Sequence, residues 1–124
     1  MEKTKTFEEL SVWKNAHAFI LEIYKITEAF PKSEVFGLTS QFRKASVSIA
    51  ANIAEGYKKR GVLDKLRFFN ISQGSLEECR YYLILARDLE YLSCETYNKL
   101  NDLLGQTSIL LNSYCSAINN SQKN

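Results

Sequence analysis

A chain of 124 residues, 45% hydrophobic and 24% charged, has the composition of one soluble globular domain with a core of its own. Its opening, MEKTKTFEEL, is too charged for a signal peptide, and no stretch approaches the roughly 20 apolar residues that cross a bilayer, so a cytoplasmic protein without a membrane partner is expected. The net charge of only +2 is uneven: the segment from Gln41 to Arg67 carries seven cations against Glu55 and Asp64, a net +5 that leaves −3 for the rest and raises the odds of an anionic partner.

One proline and five glycines leave little punctuation for an all-β chain, so long helices are expected. Val12, Ala16, Phe19, Ile23, Thr27 and Phe30 recur at steps of three and four, which predicts a helix of about five turns. Pro31 ends it, because the residue before a proline is pushed out of the helical region. Ser33 then caps a second helix running to about Lys59, with Glu34 in its first turn and a core stripe of Leu38, Phe42, Ala45, Ile49, Ile53 and Gly56. Lys58, Lys59 and Arg60 before Gly61 read as its C-terminus, cations over orphan carbonyls and a glycine to turn the chain. A third helix starts near Leu63, with Phe68, Ile71, Ser75, Cys79, Tyr82, Ala86 and Leu89 as its main stripe and Phe69, Leu76 and Leu83 beside it. Ser93 caps a fourth, whose Tyr97, Leu100, Leu104, Thr107, Leu111, Tyr114 and Ile118 have the seam spacing of near-parallel helix packing.

The architecture expected is all-α: an N-terminal extension over residues 1–10, an antiparallel up-down-up-down four-helix bundle over 11–118, and a disordered polar tail over 119–124. Helix two places Phe36, Val47, Ala50 and Ala54 away from its core stripe, and the run from Tyr81 to Ala86 is apolar nearly all round. Helices of that kind are buried on more than one side, which predicts a homo-oligomer.

Chemistry is sparse. His17, the one histidine, flanks an apolar stripe and reads as structural or exposed. No Glu-x-x-His pair, zinc-ligand spacing, nucleophile elbow or phosphate loop occurs, so no catalytic residue, metal or cofactor is assigned. Cys79, Cys94 and Cys115 have neither metal nor redox spacing and read as reduced thiols. Asn52 and Glu55 lie three apart on helix two, and Gly74, Ser75 and Glu78 on helix three offer small and polar groups of similar spacing. The structural reading has Asn52 and Glu55 fix helix or subunit register, with Gly56 and Gly74 allowing close backbone approach; a ligand or nucleic-acid contact is the next alternative and catalysis the last. Arg43, Lys44, Lys58, Lys59, Arg60, Lys65 and Arg67 form the candidate nucleic-acid surface, with Tyr57, Phe68 and Phe69 interleaved. Dipole complementation accounts for part of that cluster.

Four stretches, FEELSVWKNA (7–16), FPKSEVFGLTSQFRKASVSIAANIAEGY (30–57), GSLEE (74–78) and LARDLEYLS (85–93), resemble in order the bacterial four-helix-bundle proteins encoded in 23S rRNA intervening sequences. These are sometimes labelled ribosomal proteins, and the accessory variability determinant of diversity-generating retroelements is a related branch. The likeness covers about residues 7–118; Ala50 stands where the family carries proline, and Glu90 where glycine is common. The resemblance implies a homopentameric barrel without enzymatic activity, carrying basic surfaces suspected of binding RNA or DNA. In the retroelement branch it also implies partnership with a reverse transcriptase. The function expected is electrostatic nucleic-acid binding by a non-enzymatic oligomer. The alternative is a protein–protein scaffold or accessory subunit, of a reverse transcriptase or a ribosomal component, with no nucleic-acid affinity.

Overall fold

The computed structural model describes residues 3–123, which form four helices: α1 Ser11–Thr27, α2 Leu38–Lys58, α3 Val62–Asp88 and α4 Cys94–Lys123. Short 3₁₀ turns at Phe7–Glu9 and Lys32–Glu34 precede the first two. Each helix packs on its neighbours in sequence, and α1 closes on α4. The pairings run in opposite directions throughout. Phe42 meets Tyr82, Ser48 meets Ser75 and Gly56 meets Phe69 between α2 and α3. Likewise Phe69 meets Tyr114, Gln73 meets Asn112 and Arg87 meets Tyr97 between α3 and α4. The result is the antiparallel up-down-up-down bundle.

The core is the set of predicted stripes on three of the helices. Phe19, Ile23, Phe42, Ile49, Ile53, Leu100, Leu104 and Leu111 are all sealed from solvent. The stripe on α3 is met in part. Ser75, Cys79 and Ala86 face inward as expected with the flanking Phe69, Leu76 and Leu83, but Ser72 joins them, while Ile71 and Leu89 are exposed and Phe68 and Tyr82 only half-buried. The inward serines hold the cause: Ser72 donates to the Ile49 carbonyl at 2.8 Å, and Ser75 donates to the Ser48 hydroxyl at the same distance. Two polar residues paired across the seam occupy core positions, since a buried hydroxyl costs little once bonded.

The helix ends also differ in part from expectation. Ser33 does not cap α2; it lies inside the second 3₁₀ turn, and the Glu34 carboxylate takes the cap, accepting the Leu38 N–H at 3.1 Å. The other Glu34 oxygen accepts the Tyr91 hydroxyl at 2.9 Å, tying the start of α2 to the α3–α4 turn. Gly61 is extended (φ −78°, ψ 140°), so its freedom at positive φ is not used. Ser93 does cap α4, accepting the Thr96 N–H at 3.1 Å. The left-handed residue is Glu90, at φ 63°. The Tyr91 and Glu90 N–H groups close onto the Ala86 and Arg87 carbonyls at 2.8 and 2.9 Å, the bonds of a Schellman ending of α3.

Two segments set apart in the sequence reading join the bundle. Residues 119–123, assigned there to a polar tail, continue α4, and Asn124 lies outside the described residues. In the N-terminal extension, Leu10 is buried and Phe7 meets Trp13 edge-on at 5.1 Å.

Candidate nucleic-acid interface

The seven cations nominated from the sequence do not form one surface. Fifteen residues of helix separate Arg43 from Lys58, about 22 Å along the axis of α2. Arg43 works inside the fold. Its Nε donates to Thr27 Oγ1 at 2.8 Å, one terminal nitrogen donates to the Tyr24 carbonyl at 3.3 Å and pairs with Glu28 at 3.4 Å, and its guanidinium lies 4.6 Å from the Tyr24 ring centre. It fastens the end of α1 to α2. Lys44 is exposed nearby, on the same half of the helix.

The α2–α3 turn gathers the rest. Lys65 is drawn in: its ammonium donates to the Tyr57 carbonyl at 2.6 Å and the Gly56 carbonyl at 3.3 Å, satisfying the end of α2, and partial burial lowers its pKa. Arg67 pairs with Asp64 at 3.5 Å on the surface. Lys58, Lys59 and Arg60 remain exposed, with the Lys59 ammonium 5.0 Å from the Phe68 ring centre. Among the described residues no carboxylate pairs with these three.

The same end receives a segment the sequence did not connect to it. The Tyr57 hydroxyl donates to the Thr4 carbonyl at 3.0 Å and lies 2.7 Å from the Thr4 hydroxyl. That pins Thr4 over the end of α2 and brings the exposed Lys3 and Lys5 to the neighbourhood of Lys58. The 53 residues between these partners explain why no local pattern signals the contact. The opposite end, built from the α1–α2 connection and the α3–α4 turn, is mixed, with Glu28, Glu34, Asp88, Glu90 and Glu95 beside Lys32 and Arg87.

The residues expected to fix register have mixed placements. The Asn52 amide donates to the Ser48 carbonyl at 2.8 Å and its hydroxyl at 3.0 Å, and that hydroxyl also accepts from Ser75. Asn52 therefore acts on α3 through Ser48, which the sequence reading passed over although the two lie four apart on one face. Glu55 is exposed instead of part-buried. Gly56 is buried where α2 and α3 come closest; a Cβ there would sit 2.6 Å from Phe69 Cε1. Gly74 is exposed, and a Cβ there would meet nothing within 4 Å, so no close approach inside the protomer uses it. Glu78 accepts the Tyr82 hydroxyl at 3.0 Å on the surface. That contact, with partial burial foremost, holds the Tyr82 pKa above its usual value.

Further groups weighed for chemistry are placed as follows. His17 is exposed and stacks on Trp13, ring centres 4.9 Å apart and 9° from parallel. Cys79 is buried, Cys115 half-buried and Cys94 exposed, and burial pushes the first two thiols up in pKa, away from the reactive thiolate. Among the described residues no group of three His, Cys, Asp or Glu side chains is placed to hold a metal, and no helix is long and apolar enough to cross a membrane.

Comparison with known proteins places this geometry in a family. No curated protein matches the chain. Among solved structures, a protein of unknown function from the S23 ribosomal protein family of Bacteroides thetaiotaomicron is similar, with a TM-score of 0.78 at 24% identity over 85% of this chain and 95% of that one. At that identity the likeness speaks for the four-helix fold. The model of one family, described as 23S rRNA-intervening sequence protein, matches residues 8–113. With that match spanning nearly the whole bundle, the chain belongs to the 23S rRNA-intervening sequence protein family.

Proposed function

We propose that this chain is a non-enzymatic, cytoplasmic, homo-oligomeric bundle that binds nucleic acid through the basic end around the α2–α3 turn. The observation that carries the reading is the run Lys58, Lys59 and Arg60, exposed and without a carboxylate partner among the described residues, joined by Lys3 and Lys5 through the Thr4–Tyr57 contact. Phosphate recognition needs solvated cations with freedom to follow the backbone, and these five have it. Arg43 and Lys65, spent on helix carbonyls and a buried threonine, leave the binding set, and Arg67 contributes weakly beside Asp64.

Self-association is supported by apolar side chains left in water. Phe36 is 96% exposed, and Leu21, Val35, Val47, Tyr81 and Ile109 are each 40% exposed or more. Of the outlying apolar positions expected on helix two, Ala50 is absorbed by the core and Val47 is left out, whereas Phe36 lies in the turn before α2 begins and is exposed there. A ring, the pentamer of the family resemblance, repeats the basic end around one axis, so weak contacts to one RNA or DNA strand add by avidity.

The test is binding of fluorescent single-stranded RNA and duplex DNA in low salt, with light scattering on the same samples. An assembly larger than one 14.2 kDa chain that binds either probe, and a K58A/K59A/R60A variant that assembles but binds at least tenfold more weakly, is the expected result. No binding by the wild type at low salt would leave the chain a protein–protein scaffold or accessory subunit instead.

A further inference from the structure

An open groove of about 880 Å³ runs along the outward face of α2, overhung by the α1–α2 connection. Its floor is small, with Ser40, Ser48 and Ala51 beside Val47, and its wall includes Val35. Lys32 and Lys44 give it a positive rim, because the third lining cation, Arg43, is already matched by Glu28. Small side chains along the floor leave room for a helix laid lengthwise, as in helix-in-groove recognition.

The exposed side of α3 has the complementary character. Gly74, Glu77, Glu78 and Tyr81 recur there at helical spacing, with Tyr81 56% exposed. Among the described residues Glu77 pairs with Arg80 of its own helix, at 3.4 Å, and Glu78 with the Tyr82 hydroxyl, and both are exposed with acceptor capacity left. Gly74, at the head of this row, lies in open space: a Cβ there would meet nothing within 4 Å, so nothing inside the protomer bars a second backbone from that point.

We infer that the α2 groove of one copy seats the Gly74–Tyr81 ridge of α3 from a second copy, apolar floor against Tyr81 and the Lys32–Lys44 rim against Glu77 and Glu78. The occupant is a copy of this chain because the chain itself carries the matching shape, apolar side chain and charge. Groove and ridge are different surfaces of one protomer, so the contact is heterologous, and repeated head to tail it closes a ring where a two-fold dimer would use one patch twice. This inference rests on the oligomer reading above and specifies its interface.

Two substitutions at exposed positions test it without disturbing the core: Ala51→Arg fills the groove, and Gly74→Arg, in open space, blunts the ridge. Unchanged helical circular dichroism establishes folding of each. Each variant alone should fall from the wild-type assembly to a monomer, with at least a hundredfold weaker self-association in sedimentation velocity. Mixed in equal amounts they should form a dimer and nothing larger, because one intact groove then meets one intact ridge. Both variants assembling like the wild type, or a mixture that stays monomeric, overturns the inference. A wild type that is itself monomeric at micromolar concentration instead removes the oligomer reading beneath it.

Discussion

Gly56 of α2 lies tight against the Phe69 ring of α3, and Gly56→Ala perturbs that contact with a single methyl. The added Cβ falls 2.6 Å from Phe69 Cε1, 3.0 Å from Cδ1 and 3.1 Å from the Phe68 Cβ. Carbon atoms rest at about 3.5–4.0 Å, so the ring must retreat by roughly 1 Å. It has nowhere to go: Phe69 is 0% exposed and its ring centre is 5.2 Å from that of Tyr114. Overpacking of this kind costs about 1–3 kcal/mol, and the better helix propensity of alanine returns about 1. A net loss of up to about 2 kcal/mol is expected, read in urea as a lower midpoint at unchanged slope. Phe69→Leu in the same background relieves the clash, so the double variant should lose about 1 kcal/mol less than the two singles together. Gly105→Ala, at a helical position where a Cβ meets nothing within 4 Å, is the control and should gain about 0.5–1 kcal/mol. A Gly56→Ala protein stabilised as much as the Gly105→Ala control would refute the close approach.

Glu90→Gly removes the strain of a side chain at φ 63° and should raise the melting temperature by a few degrees, about 1 kcal/mol, in differential scanning calorimetry. Glu34→Ala releases both the α2 cap and the Tyr91 hydroxyl, so a loss of about 1–2 kcal/mol is expected in urea, with Tyr91→Phe recovering only part of that effect. The buried Cys79 thiol is held far above its ordinary pKa of 9.0, first by burial and then by Glu78. The unfolded thiol ionises above pH 9 and the folded one does not, so stability is full below that pH and falls as pH rises through it, by at most about 1.4 kcal/mol per unit for this group. Chemical denaturation from pH 8 to 10 should show this slope in the wild type and a shallower one in Cys79→Ala.

How far the sequence carries differs from helix to helix. On α4 the inward positions are almost all leucine, so a hydrophobic count finds the seam, and Leu100, Leu104, Thr107, Leu111 and Ile118 are buried as the spacing requires. On α3 the count is misled. Ser75 is buried as expected, but Ser72 also faces inward because α2 offers it an acceptor, while Ile71 and Leu89 of the expected stripe stand in water. The partners of the two serines lie 23 and 27 residues away, and only the folded pairing reveals them.

The candidate site was legible in its charges and illegible in its geometry. Nearness along the chain united Arg43 with Lys58, but helical rise separates them and Thr27 claims the arginine. Lys3 and Lys5 went unassigned because only the Thr4–Tyr57 contact connects them to the turn. The division of labour among the cations follows from their partners: those bonded to backbone or buried hydroxyls hold the bundle, and those left in solvent are available to phosphate.

The most direct test of that division is the salt dependence of single-stranded RNA affinity for the wild type, Arg43→Ala and the K58A/K59A/R60A triple. The wild type should lose affinity linearly in log salt, and the triple should lower that slope by about 2 for each protomer in contact with the strand. Arg43→Ala should cost stability and leave the slope unchanged. Equal slopes for the wild type and the triple, or a slope lowered by Arg43→Ala in a folded protein, would contradict a nucleic-acid interface at the α2–α3 turn.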